Sequence, residues 1–241
     1  MTENKGPSRR RILTSLGVVA GGAAVGIAGP AGVARAAQPT PPAESDPSVP
    51  KSRQWNAATT QNGWPVVGSG GFKGRRIEGT STVVALRPGD AATVLTYVAR
   101  RYHYEIRTLK SGDAFGYTTD RSVTAPYESN YLSGTAIAIL PGLYPAGSSG
   151  NLYPLELTVV RDILASCRGV VRWGGDDTAC PKEGHFQIDV SPGSPELGEL
   201  AATLTAWRST PGKGAGATVD PFTASRLSAA KALERKQRSA A

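Results

Sequence analysis

At 241 residues with 39% hydrophobic content, the chain carries enough apolar sequence for one domain with appendages. Its 29 glycines and 18 prolines require many turns, and two cysteines in a basic chain speak against a metal–thiolate protein. The formal net charge is +8, of which the first 36 residues supply +4, five cations against one acid. The +4 left for the rest comes without a basic–aromatic motif, which argues against nucleic acid as a partner and suits anionic polymers outside a cell.

The run Ser8-Arg9-Arg10-Arg11-Ile12-Leu13 matches the twin-arginine export signature. A weakly apolar, Gly-diluted run over residues 12–29 follows, and then the small-x-small step Ala34-Arg35-Ala36. That run is too polar for a membrane anchor, which needs about 20 strongly apolar residues. Residues 1–36 are expected to be a twin-arginine signal peptide cut after Ala36. The protein would then fold inside and work outside, extracellular or wall-associated. Residues 37–60 carry Pro39, Pro41, Pro42, Pro47 and Pro50 and read as a flexible linker.

Residues 61–208 read as one α+β domain, a small antiparallel sheet packed by helices. Thr82-Val83-Val84-Ala85-Leu86 is a short strand, and Asp90 is expected to cap the helix that follows it. Val94, Leu95 and Val98 give that helix its core face. His103, near its end between two tyrosines, reads as a partly buried structural histidine. The segment around Thr135 to Leu140 reads as a strand, with Gly134 as a bend or bulge ahead of it. Leu155, Val159, Val160, Ile163 and Leu164 predict an amphipathic helix with Pro154 in its first turn. In the stretch from His185, Phe186 and Ile188 face one way and His185, Gln187 and Asp189 the other, a half-buried strand. Pro195 to about Trp207 is the last domain helix, with Leu197, Leu200, Ala201 and Leu204 as its apolar stripe.

In an exported chain with only two cysteines, Cys167 and Cys180 are expected to form a disulfide, worth on the order of 3 kcal/mol by chain entropy. Residues 209–241 read as a linker and a basic helical tail, with Asp220-Pro221 as cap and first position. The tail is expected to be solvated. An anionic wall polymer or a membrane surface is the alternative partner for it.

Two stretches carry a resemblance. Ser129-Asn130-Tyr131-Leu132-Ser133-Gly134-Thr135-Ala136-Ile137-Ala138 is similar to the motif S-x-H-x-S-G-x-A-x-D, and Trp173-Gly174-Gly175-Asp176 with His185-Phe186 is similar to the W-G-G-D and H-F elements that accompany it. Together they resemble the zinc D-alanyl-D-alanine carboxypeptidase and L-alanyl-D-glutamate endopeptidase family, which cuts peptidoglycan peptides. The resemblance implies that zinc is held by the first-motif His and Asp and by the His of the second motif, with an acidic base three residues before the latter. Here those positions are Tyr131, Ala138, His185 and Lys182, so only His185 is retained. An Arg upstream of the first motif holds substrate in that family, and Arg121 is the candidate.

The expectation is therefore a catalytically inactive homologue without a cofactor. It would bind peptidoglycan peptide or a wall partner in a groove made by Arg121, Ser129, Tyr131, Ser133, Trp173, Asp176 and His185. Two alternatives stand beside it. One is an active cell-wall peptidase whose zinc site is rebuilt from Asp176, Asp177, Glu183 or Asp189, with Glu183 one position from the expected base. The other is a structural wall protein.

Overall fold

The computed structural model describes residues 51–213, 217 and 219–239. The expected signal peptide, its cut after Ala36 and most of the linker lie outside the described residues.

In chain order the elements are β1 (Arg53–Gln54), β2 (Gly74–Arg76), β3 (Val83–Ala85), α1 (Asp90–Glu105), β4 (Ala114–Phe115), β5 (Ser122–Val123), a 3-10 segment (Pro126–Ser133), β6 (Ala136–Ile139), α2 (Pro154–Ser166), β7 (Val171–Trp173), β8 (His185–Ile188), α3 (Pro195–Arg208) and α4 (Ala224–Arg238). Strands β4, β6, β8 and β7, in that order, make a four-stranded antiparallel sheet. Two small antiparallel pairs, β1 with β5 and β2 with β3, stand beside it. This is the α+β architecture that the sequence predicts.

The main sheet has two unlike faces because side chains alternate along a strand. Ile137 and Ile139 of β6, Phe186 and Ile188 of β8 and Val171 of β7 enter the core. There they meet Val94, Leu95 and Val98 of α1, Val160, Ile163 and Leu164 of α2, and Leu197, Leu200 and Leu204 of α3. Burying a side chain of this size contributes about 1.5–3 kcal/mol. Ala136, Ala138, His185 and Gln187 take the opposite face. Every residue of β8 is buried, not half-buried as its alternation suggests, because the 3-10 segment and the Gln61-Asn62 stretch cover that second face.

Several local expectations are corrected. The N-cap of α1 is Gly89 at φ 91, a conformation that favours glycine, and Asp90 makes no capping bond. Asp90 acts on the helix through its charge in the first turn. Packed chain begins ahead of Gln61: β1 pairs with β5, and Thr60 is buried. The terminal helix starts at Ala224, while Asp220 accepts the Phe222 N–H at 2.9 Å in the preceding turn. That helix is docked on α2 with Ala230 and Gln237 buried, so it is not a solvated tail.

Cys167 and Cys180 are buried and unbonded, which corrects the expected disulfide. Cys167 closes α2 inside the main core, whereas Cys180 lies in a separate cluster with Ala125 and Tyr127. The two cysteines sit in different clusters and are not close, so the geometry that a disulfide needs is not met.

Candidate functional site

The stretch 129–139 takes two conformations. The Glu128 carboxylate accepts the N–H groups of Thr124 at 2.7 Å and Ala125 at 3.4 Å, fixing the start of the 3-10 segment. Gly134 ends it at φ 67 and ψ 22, where a Cβ would lie 2.4 Å from the Phe72 ring and 2.7 Å from the Arg87 nitrogen. Only glycine fits that close approach. The chain then enters β6. Instead of a bulge in one continuous strand, this turn folds the first half of the motif over the second. Tyr131, Ala136 and Ala138 thereby form one buried cluster.

On this face Ala138 pairs with His185 in the β6–β8 register. The Tyr131 hydroxyl lies 2.7 Å from His185 Nδ1, and His185 Nε2 lies 2.9 Å from Gln187 Oε1. Gln187 Oε1 also accepts from Asn130 Nδ2 at 2.9 Å, which makes it an acceptor and assigns the imidazole proton to Nε2. Nδ1 is then the acceptor for the Tyr131 O–H. The chain of amides continues to Gln61, whose Oε1 accepts from Asn130 Nδ2 at 3.0 Å and Gln187 Nε2 at 3.2 Å.

The electrostatics agree with this assignment. Burial drives the His185 imidazolium pKa down to about 3; Lys182 lowers it further, while the Gln187 bond and Glu128 oppose the shift. Burial, with Glu128 adding to it, holds the Tyr131 phenol well above its ordinary value. Both rings are therefore neutral at physiological pH, and both imidazole nitrogens are engaged. His185 is poorly placed to act as a base or a nucleophile. Lys182, at the expected base position, pairs with Glu128 at 2.6 Å and stands 5.4 Å over the Tyr131 ring. Burial alone would raise the Glu128 carboxyl, but the Lys182 charge and hydrogen bond together with the Thr124 and Ala125 N–H groups hold it below its ordinary value.

These residues do not fit zinc. A catalytic zinc needs three donors with free lone pairs and one open position. Here one imidazole nitrogen carries a proton, the other accepts one from Tyr131, and Ala138 has no donor to offer. The carboxylates from which a site might be rebuilt are committed elsewhere. Glu183 accepts the N–H groups of Gly150 and Asn151, at 2.8 Å each, and holds that loop. Asp176 makes a two-pronged pair with Arg161 at 2.5 and 2.6 Å. Asp189 meets Arg172 at 3.0 Å, and Asp177 accepts the Cys180 N–H at 2.7 Å. Among the described residues, no three of His, Cys, Asp and Glu converge as a ligand set.

The remaining candidates divide. Ser129 and Ser133 are fully buried and bonded within the fold: Ser129 Oγ accepts the Gln61 N–H at 2.8 Å and Ser133 Oγ donates to the Asn130 carbonyl at 3.0 Å. Arg121 is engaged with the incoming chain, donating to the Trp55 carbonyl at 2.8 Å. Trp173 Nε1 donates to the Glu183 carbonyl at 2.7 Å, and the Arg161 guanidinium stacks 4.8 Å from the centre of its ring. His103 Nδ1 accepts the Leu109 N–H at 2.9 Å and steadies the turn after α1. Beside the closed Tyr131–His185 pair lies a cleft of about 340 Å³, bordered by Gln61, Tyr127, Arg172, Trp173, Asp177 and Gln187.

Compared with known proteins, the chain matches no family model, no curated protein and no solved structure.

The sequence pattern underrated the amides. Gln187 shares the His185 register and was legible there as a neighbour on the same face. Asn130 and Gln61 carried no such signal, since Gln61 reaches the site only through the fold.

Proposed function

We propose that this chain is an exported, non-hydrolytic relative of the zinc D-alanyl-D-alanine carboxypeptidases and L-alanyl-D-glutamate endopeptidases, and that it binds a peptidoglycan stem peptide. The observation that carries this reading is the Tyr131–His185 hydrogen bond, with Ala138 opposite His185. A hydrogen-bonded phenol, an alanine and a neutral imidazole take the places of the metal-holding set that the motif resemblance implies. The cleft beside them favours binding over cutting. Its Gln61 and Gln187 amides offer donors and acceptors of the kind a peptide backbone uses, and Tyr127 and Trp173 supply apolar wall. Among the described residues, the carboxylates that border it are held by other groups, Asp176 by Arg161, Asp189 by Arg172 and Asp177 by the Cys180 N–H.

The test is sedimentation of the full chain with purified peptidoglycan stripped of its anionic polymers, followed by chromatography of the soluble products. The reading predicts retention on the pellet, weakened by Gln61→Ala, and no released D-alanine or cleaved stem peptide. Release of either product, or no retention at all, would overturn it.

A further inference from the structure

The charge of the chain is unevenly placed. Residues 37–208 hold 16 Lys and Arg against 16 Asp and Glu, whereas residues 209–241 hold six against two. The whole +4 excess beyond the first 36 residues therefore lies on the connector and α4.

The docking of α4 decides where this charge faces. At its start, Arg226 donates to both oxygens of Asp162, at 2.7 Å each, and Asp162 also accepts from Arg101 at 2.8 Å. Toward its end, Glu234 meets Arg161 at 3.2 Å, and Gln237 Nε2 donates to the Val171 carbonyl on edge strand β7 at 2.8 Å. Ala230 is buried and Leu233 packs on the main core. With the helix rotation fixed this way, Lys231, Arg235 and Lys236 are exposed. Lys231 and Arg235 are one turn apart on the same outward face, about 6 Å along the axis. Lys236 borders a cleft of about 570 Å³ that Arg168, also exposed, shares; Asp189, paired with Arg172, and Glu196 line it too, so the cations exceed the acids there by three to two. None of these four cations has an ion-pair partner among the described residues.

We infer that this surface binds a linear polyanion of the cell wall, laid along α4 across Lys231 and Arg235 and into the cleft shared by Lys236 and Arg168. The wall setting rests on the function proposed above; the charge geometry does not. A strand with regularly repeated negative charges matches cations spread along a helix better than a compact anion does, and each neutralised contact releases counter-ions. A membrane surface is the poorer fit. The other exposed residues of α4 are Ala224, Ser225, Ser228, Ala229, Ala232 and Arg238, none of them a large apolar side chain; Phe222, also exposed, precedes the helix.

The test measures binding of the full chain to long-chain polyphosphate at about 50 mM and about 200 mM salt. The combined substitution Lys231→Gln, Arg235→Gln, Lys236→Gln should weaken binding about tenfold or more at the lower salt and flatten its salt dependence. All three side chains are exposed, so an unchanged melting temperature checks that the fold is intact. The combination Arg9→Gln, Arg10→Gln, Arg11→Gln should leave most of the affinity in place. Undiminished binding by the α4 variant would overturn the inference, as would equal binding to vesicles of anionic phospholipid. Retention on stripped peptidoglycan belongs to the other cleft and should survive the α4 substitutions, so the two readings fail separately.

Discussion

Tyr131 and His185 meet through a 2.7 Å hydrogen bond although they sit on unlike elements, one in a 3-10 segment and the other in a central strand. The left-handed Gly134 makes this contact possible by folding the segment over the sheet. The bond determines the state of everything nearby. It occupies Nδ1, it directs the Nε2 proton to Gln187, and with burial it keeps the imidazole neutral.

Tyr131→Phe removes the donor and leaves Nδ1 buried without a partner. The cost should be about 1–3 kcal/mol, as for other unsatisfied buried polar groups. Urea unfolding would register it as a lower midpoint with an unchanged slope. An unaltered midpoint would mean that Nδ1 does not depend on this hydroxyl.

The depressed His185 pKa makes stability depend on pH. Its folded value is about 3, and an unfolded histidine titrates near 6.5. Between these values the unfolded chain binds the extra proton, so stability falls as pH is lowered through that window. The charges acting on the ring are Lys182, which lowers its pKa, and Glu128, which raises it. Carboxylates such as Glu128 contribute their own loss only at lower pH. From pH 6.5 down to about 5, therefore, a His185→Gln variant should show a flatter stability profile than the unaltered chain. Parallel profiles would contradict a buried neutral imidazole.

Both cysteines should be thiols. Burial pushes Cys167 up to about 12, and burial also raises Cys180, so neither reacts readily in the folded protein. Denaturation without reductant should expose two titratable thiols per chain, and native alkylation should leave Cys167 unmodified. A count of zero would restore the disulfide.

The helices and the strands β3, β6 and β8 were legible because each rests on local periodicity, whereas β1, β2, β4, β5 and β7, of two or three residues each, are too short to show one. Val94, Leu95 and Val98, and likewise Leu197, Leu200 and Leu204, face the core where their spacing puts them. The disulfide was misjudged because composition counts cysteines but cannot tell that the fold buries these two in separate clusters. The burial of His185 and Gln187 was also hidden, since alternation marks a second face without saying whether another segment covers it. The cover comes from Gln61, Asn62 and the 3-10 segment, contacts that no sequence window contains. Arg121 shows the same limit from the other side. Its chemistry suits an anion, yet the fold gives its guanidinium to the Trp55 carbonyl.

Tyr131 and Ala138 leave His185 without partners that could hold a metal. After equilibration with equimolar zinc and gel filtration, the full chain should carry far less than one zinc, rising toward one in the Tyr131→His, Ala138→Asp variant, which places imidazole and carboxylate donors beside His185. One zinc per unaltered chain, lost on His185→Ala, would contradict this reading.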